Sequence, residues 1–359
     1  MADNASALQE QVQASYSARQ PLCIRGSGSK DFYGAPVTGP ILPTATHSGI
    51  VSYEPAELVL TARAGTSLTE IEAALAEHGQ MLGCEPPHFG THATFGGMIA
   101  AGLSGPRRPY AGSIADAVLG CRILNGRGEM LRFGGKVMKN VAGFDISRLL
   151  AGSLGCLAVI LEATVKLLPR PRAECTCRFQ ISADQATAFA NRLTGSGYPV
   201  SATTHDGQML AVRFSAGAAE ISKLPDRLRR EFDGVGPAEE ADANYWLMMR
   251  EQQLAFFKAG APLWRVSLAP AARLDLPGVE FREWNGALRW IRTEAMPGDV
   301  FGRVERLSGS ATLFRSASPA VATDRFQPLS PALRHWHRQL KQAFDPAAIL
   351  NPGRMYPGL

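Results

Sequence analysis

The residues in this chain that could do chemistry are glycines set between apolar segments. One cluster, Arg25-Gly26-Ser27-Gly28-Ser29-Lys30, follows the short apolar stretch Leu22-Cys23-Ile24. Small residues in such a turn form a nest of N–H groups that can hold a phosphate. A second region opens with Thr94-Phe95-Gly96-Gly97-Met98 and continues through Gly102-Leu103-Ser104-Gly105-Pro106-Arg107-Arg108-Pro109-Tyr110. It closes with Gly152-Ser153-Leu154-Gly155-Cys156 before an apolar run. Glycine lets main chain approach a ligand closely and adopts positive φ, so these clusters predict backbone brought up to something large. Neither is the G-x-G-x-x-G of a Rossmann dinucleotide site.

Other chemistries are poorly served. The six cysteines (Cys23, Cys84, Cys121, Cys156, Cys175 and Cys177) sit mostly singly in apolar segments and read as reduced small hydrophobes. Cys175-x-Cys177 lacks redox or metal spacing, and no zinc or iron–sulfur pattern occurs, so no metal is expected. No histidine lies between His205 and His335, and His335 and His337 fall on a C-terminal helix. A net charge of +5, with arginine in excess, could favour an acidic partner or anionic substrate. No basic stripe with interleaved aromatics suggests nucleic-acid binding. No window approaches the roughly 18 apolar residues of a membrane span, and the N-terminus lacks a signal-peptide pattern. A cytoplasmic chain is expected, with any membrane association peripheral.

At 359 residues the chain is long enough for two domains. A helix near Ala5–Ala18 leads to the first strand. Glu57–Ala64 reads as a strand ending at Gly65, and Ser67 with Glu70 as a capping box opening a helix from Leu68 to His78, stopped by Gly79. Asp116–Arg132 holds two strands joined at Asn125-Gly126-Arg127-Gly128, and Leu157–Pro169 is β-rich. Pro169-Arg170-Pro171 marks the domain boundary. Beyond it come strands at Glu174–Ile181, Tyr198–His205, Met209–Ser215, Leu263–Leu268, Leu288–Thr293 and Ala311–Ser316. Helices are expected after Ser182 and near Glu220–Phe232 and Asn244–Lys258, giving an antiparallel sheet with helices on one side, followed by a C-terminal helix at Leu333–Phe344.

The order and spacing of the glycine clusters, over Pro21–Pro169, resembles the FAD-binding domain of the vanillyl-alcohol oxidase or PCMH-type family. Narrower phrases are Cys84-Glu85-Pro86-Pro87-His88, Gly105-Pro106-Arg107-Arg108-Pro109, Val137-Met138-Lys139-Asn140-Val141-Ala142-Gly143-Phe144-Asp145, and Phe344-Asp345-Pro346 with Asn351-Pro352-Gly353-Arg354. These make nearly the whole chain similar to the FAD-binding E subunits of bacterial glycolate oxidases. The resemblance implies an α+β fold: a two-lobed FAD domain at 1–172, an α/β cap of antiparallel sheet and helices at 173–325, and a segment at 326–359 returning to the FAD domain.

By the same resemblance, Arg25, Gly26, Ser27, Gly28, Ser29 and Lys30 hold the pyrophosphate of a non-covalently bound FAD. Pro87, Thr94, Gly96 and Gly97 border the flavin and ribityl chain, Tyr110, Ser113 and Asp116 support the flavin, and Gly155 with Val159 lies towards the adenine. For Tyr110 and Asp116 a core aromatic and a helix cap are open alternatives. Lys139-Asn140 reads as a surface loop held by local bonds ahead of a flavin contact, and Arg107-Arg108 could meet a substrate, meet a partner or be idle. The implied partners are a catalytic D subunit, also carrying FAD, and an iron–sulfur F subunit, together oxidising glycolate to glyoxylate and passing electrons to quinone. A flavin enzyme acting on 2-hydroxy acids needs a base for the hydroxyl proton, and the expected cap is nearly without histidine, so no catalytic residue is assigned. The rival reading is a self-sufficient dehydrogenase of another small acid or alcohol, with Arg265, Trp284 and Arg289 binding a carboxylate. A third is a degenerate domain serving only assembly, against which the intact glycine loops argue.

Overall fold

The computed structural model describes residues 2–135, 145–232, 239–240, 244–258, 260–316 and 325–359. The chain forms two units. One comprises Met1–Ser104, Gly112–Pro169 and Ala322–Leu359; the other comprises Gly105–Ala111 and Arg170–Val321. The chain therefore enters the second unit twice, the first time for the short stretch around Arg107. The phrase Val137–Phe144, with Lys139-Asn140, lies outside the described residues.

In the first unit α1 (Ala5–Ala18) precedes a parallel pair, β1 (Cys23–Arg25) and β2 (Ile41–Pro43). β3 (Ile50–Glu54) and β4 (Val59–Arg63) follow, then α2 (Leu68–Glu77), the short β5 (Gln80–Met81) and α3 (Phe95–Ala101). β6 (Val118–Leu124) and β7 (Met130–Gly134) form the hairpin expected at Asn125–Gly128, β8 (Val159–Lys166) returns, and β9 (Leu168–Pro169) pairs with β5. The larger sheet is antiparallel in the order β3-β4-β8-β6-β7. Leu68, Ile71 and Leu75 of α2, at helical spacing, join Phe95, Met98 and Ile99 of α3 in one core with Leu60, Ala62, Ala163 and Val165 of the sheet.

Local chemistry sets these elements. The Ser67 hydroxyl caps α2 by accepting from the Glu70 amide at 3.1 Å. α3 is a helix made from a glycine-rich sequence, against glycine's poor helical propensity. It is capped by Thr94, whose Oγ1 accepts from the Gly97 amide at 3.3 Å. A Cβ on Gly96 would lie 2.6 Å from that of Ala64. Close packing of α3 near the end of β4, not a ligand, accounts for that glycine.

The second unit is an eight-stranded antiparallel sheet. Its strands are β10 (Ala173–Gln180), β11 (Val200–His205), β12 (Met209–Ala216), β13 (Glu239–Glu240), β14 (Leu263–Ser267), β15 (Val279–Glu283), β16 (Leu288–Arg292) and β17 (Ser310–Arg315). Their order is β13-β10-β12-β11-β15-β16-β14-β17. Helices Ala183–Gly195 and Leu224–Glu231 bury Phe189, Leu193 and Leu228 against Phe179, Val212 and Phe214. Strand β15 and helix Pro297–Arg306, which buries Val300, Phe301 and Val304, add to the expected elements. The two longer helices expected here are each broken: Ala218–Ile221 stops before Pro225, and Tyr245–Arg250 stops at Gln252, whose φ is 55°. The C-terminal helix, Pro331–Phe344, belongs to the first unit.

Candidate functional site

A groove in the first unit gathers the two glycine regions that sequence placed far apart. It is lined by Ile24–Asp31, by Thr94, Gly97, Ala100 and Ala101 around α3, and by Leu154, Asn351 and Arg354. Gly26 lies so close to Thr94 Oγ1 that any side chain there would collide with it. Gly28 has φ +81°, and a Cβ on it would sit 2.5 Å from the Arg25 guanidinium. Arg25 pairs with Asp31 at 2.6 Å, while its buried Nε has no hydrogen-bond partner in the protein. Lys30 Nζ lies 3.2 Å from the His88 carbonyl oxygen, tying the first loop to the Pro86-Pro87-His88 turn, where Pro87 is buried. His88 Nε2 is 3.1 Å from Glu72 Oε1.

Two wall residues, Asn351 and Arg354, come from the far end of the chain. Asn351, 2% exposed, accepts from the Ile24 amide and donates to the Leu154 carbonyl, both at 2.7 Å. It thereby joins β1 to the Leu154-Gly155 turn. Gly155, at φ +74°, has to be glycine there because a Cβ would lie 2.8 Å from Asn351 Nδ2. Arg354 donates to the carbonyls of Lys30 (3.4 Å) and Tyr33 (3.2 Å). Neither Asn351 nor Arg354 is among the residues the sequence places at the site; their polarity beside a proline-glycine turn is the local signal of that role.

Below this wall, Lys341 and Asp345 form a buried ion pair at 2.8 Å. Lys341 Nζ also donates to the carbonyls of Cys156 and Leu350, each at 2.8 Å. Asp345 accepts from the amides of Ile349 (3.1 Å) and Leu350 (2.7 Å). These bonds fix the turn that presents Asn351.

The donor set suits a pyrophosphate. Arg25, Lys30 and Arg354 outnumber the single lining acid, Asp31, which Arg25 already neutralises. Ser27, Ser29 and Thr94 add hydroxyls, and Ile24, Ala100, Ala101 and Leu154 supply apolar wall. An unpartnered guanidinium N–H and glycines with no room for a Cβ are what an anion held by main chain requires.

The remaining assignments separate. Gly97 lines the groove, whereas Gly96 is spent on Ala64. Val159 is wholly buried in a core with Leu124, Leu161 and Leu350, so its side chain does not reach the groove. Ser113 and Asp116 form a reciprocal capping box, the Ser113 amide donating to Asp116 Oδ2 at 2.8 Å. Tyr110 belongs to the second unit, where it packs on the Phe179–Phe214 core and bonds to Thr194 and Thr203. Burial raises its phenol pKa. Its place is that of the core aromatic left open as the alternative for it, in the second unit and not with Ser113 and Asp116 in the first.

Arg107 is the physical reason for that displacement. It is 7% exposed, with its guanidinium 2.5 Å from Glu174 and 3.2 Å from Ser215 Oγ, which anchors residues 105–111 in the second unit. Burial would raise the Glu174 pKa, but Arg213, Ser215 and Arg107 together hold it below the ordinary value. Arg108 is exposed, stacked 4.6 Å over Trp284.

Of the carboxylate-binding trio Arg265 and Trp284 meet, while Arg289 is spent on main chain. Arg289 is buried and donates to the carbonyls of Gly286, Pro270 and Ala272, and the Trp284 indole donates to the Gly105 carbonyl at 3.0 Å. Arg265 lies 5.3 Å over Trp284. His205 uses both ring nitrogens, Nδ1 accepting from the Gly207 amide and Nε2 bonding the Ile181 carbonyl. Among the described residues no group of three metal-ligating side chains occurs, and no helix is long and apolar enough to cross a membrane.

Fold and groove together define a flavoprotein of the FAD-linked oxidoreductase class, and residues 1–134 match the FAD binding domain family, so FAD is the cofactor. The chain is 46% identical over 358 residues to glycolate oxidase subunit GlcE of Escherichia coli, covering 99% of both chains. It belongs to the GlcE family. It is also 32% identical over 160 residues to glycolate oxidase subunit GlcD of Bacillus subtilis, covering 44% of this chain and 34% of that one. A D-lactate dehydrogenase of Archaeoglobus fulgidus is 35% identical over 155 residues, covering 42% of this chain and 34% of its own. A solved alkyldihydroxyacetonephosphate synthase structure has the same fold, with a TM-score of 0.66 over 96% of this chain and 75% of its own at 16% identity.

Proposed function

We propose that this chain is the FAD-binding subunit of a heteromeric glycolate oxidase. It supports oxidation of glycolate to glyoxylate beside a D-type flavin subunit, with electrons leaving through an iron–sulfur F-type subunit towards quinone. Any membrane association is peripheral and made through those partners. The observation that carries this reading is the full-length likeness to a GlcE subunit.

In this reading the amides of residues 25–30 hold the pyrophosphate, with Thr94 supporting the loop and Arg25 and Arg354 balancing its charge. Pro87 and Gly97 border the flavin and ribityl chain. Gly155 and the main chain at Val159 lie towards the adenine, and Ser113 and Asp116 act as a cap that shapes the flavin-side loop. When bound, FAD supplies a two-electron acceptor. Attachment is non-covalent, because Ser29 and Lys30 end the first loop where covalent relatives place histidine. His205 is committed to main chain, so the second unit offers no free histidine base among its described residues.

Stopped-flow reduction by glycolate tests the assignment. The isolated chain should bleach slowly, and addition of D-type and F-type subunits should restore electron flow to a quinone analogue. Full reduction of the lone chain at a rate typical of flavin enzymes would favour the self-sufficient dehydrogenase. Acid precipitation should leave a colourless pellet and a yellow supernatant; colour retained in the pellet would refute non-covalent binding.

A further inference from the structure

Arg325, in the first unit, is a buried cation with no anion to answer it. The residue is 7% exposed, and its Nη1 donates to the Phe32 carbonyl at 3.0 Å. Its Nε is buried without a hydrogen-bond partner, and among the described residues no carboxylate pairs with it. Burial, and after it the like charge of Arg354, push the guanidinium pKa below its ordinary value. Buried charges are normally paired, because an unpaired one bears the full cost of its desolvation.

Arg325 and Arg354 grip one stretch of main chain. Arg354 holds the carbonyls of Lys30 and Tyr33, and Arg325 holds that of Phe32 between them. Both therefore sit where the phosphate loop ends, and there the surroundings turn aromatic. Phe32 meets Phe89 edge-on at 5.4 Å, and Tyr33 meets Phe326 at 5.6 Å. Phe89 follows the Pro86-Pro87-His88 turn, which Lys30 ties down through the His88 carbonyl. Such an end suits a ring system better than a phosphate, and its low polarity strengthens the field of a guanidinium.

The charges in the groove leave Arg325 over. Its lining holds three cations, Arg25, Lys30 and Arg354, against one acid, Asp31. That net charge already balances a doubly charged pyrophosphate. We propose that Arg325 is the counter-charge for the reduced flavin ring, and that it raises the midpoint potential of the FAD bound to this chain. Reduction by hydride brings the ring two electrons and one proton, and hence one negative charge. A buried guanidinium with an unused N–H, at the aromatic end of the groove, stabilises that charge once it arrives. The inference rests on the groove as the FAD site, proposed above.

The test is the midpoint potential of the FAD-loaded chain, read from flavin absorbance during reduction by dithionite with no 2-hydroxy acid present. Arg325→Gln keeps a donor for Phe32 and removes the charge. It should disfavour the reduced flavin by on the order of ten- to a hundredfold, the weight of a hydrogen bond to a charged group. For a two-electron couple that lowers the potential by about 30–60 mV. Arg325→Lys should recover most of the loss, and Arg325→Met serves as the neutral variant if the glutamine form does not fold. Sulfite adds to oxidised flavin and leaves the same negative charge on it, so it should bind the wild-type chain and bind the neutral variants more weakly by a similar factor. ADP, which carries the pyrophosphate without the flavin, should bind all forms alike. An unchanged potential in the neutral variants would overturn the proposal, as would a wild-type chain that takes up no sulfite. So would a loss confined to ADP, which would put the guanidinium on the pyrophosphate, or to oxalate, which would put it on a carboxylate substrate. A wild-type chain that binds no FAD would defeat the groove reading itself, a different result from a bound flavin that ignores Arg325.

Discussion

Asp345→Ala should both destabilise the first unit and empty its groove. The wild-type carboxylate accepts from Lys341 and from the amides of Ile349 and Leu350, and it is fully buried. Truncation leaves two buried amides without their acceptor, at about 1–3 kcal/mol each in isolation, and strands a buried ammonium with carbonyl partners only. Because these losses share one network they do not add, and breaking a buried pair costs about 3–5 kcal/mol in total. For a unit of roughly 200 residues, that is a drop of about 6–20 °C in thermal midpoint. The Asp345–Leu350 turn presents Asn351, so FAD per chain should fall with stability. Thermal scans read the first effect and flavin absorbance per protein the second. The double variant Lys341→Met, Asp345→Leu removes the stranded charge and should recover about 1–3 kcal/mol of the loss. A loss under about 1 kcal/mol for Asp345→Ala, or a double variant worse than the sum of the singles, would refute this account.

Gly97→Val should abolish flavin binding, because its Cβ would project into the lined groove 2.9 Å from Thr94 Oγ1. Gly96→Val should instead lower stability, since it collides with Ala64; the reverse pattern in flavin content and thermal midpoint would contradict the placement of the two glycines. His47 is buried with its pKa held below 6.5, chiefly by desolvation, against the opposing pull of Asp3. The unfolded chain therefore binds the proton more readily, and stability present above pH 6.5 is lost as pH falls through that value towards the folded pKa. His47→Gln should flatten the pH dependence of urea-denaturation stability below pH 6.5, and an unchanged slope would remove His47 as the acid-labile group.

Local determinants were legible in the sequence. The Arg25–Lys30 turn, the Ser67 cap and the Asn125–Gly128 hairpin depend on residues a few positions apart, and each forms. Even so, neighbouring glycines with opposite duties look alike in sequence. Gly96 and Gly97 are separated only by which one faces Ala64, and in the hairpin Gly128 is needed for its φ of +74° whereas Gly126 is required by the C-terminal turn, since a Cβ there would lie 2.7 Å from Asp345 Cα.

What sequence could not give was long-range pairing. Tyr110 stood two residues from a proline-arginine loop that resembled flavin-side structure, yet its unit is decided by Arg107 reaching Glu174, sixty-seven positions away. Asn351 meets Ile24 across 327 positions, joining the first loop to a segment whose polarity alone marked it. The same distance explains why the cofactor was legible and the chemistry was not. A phosphate nest is written in consecutive residues, and its glycines announce it. A base, a carboxylate clamp or a docking face is assembled from side chains whose availability depends on remote partners, and those partners have removed His205, Arg289 and Arg107 from service.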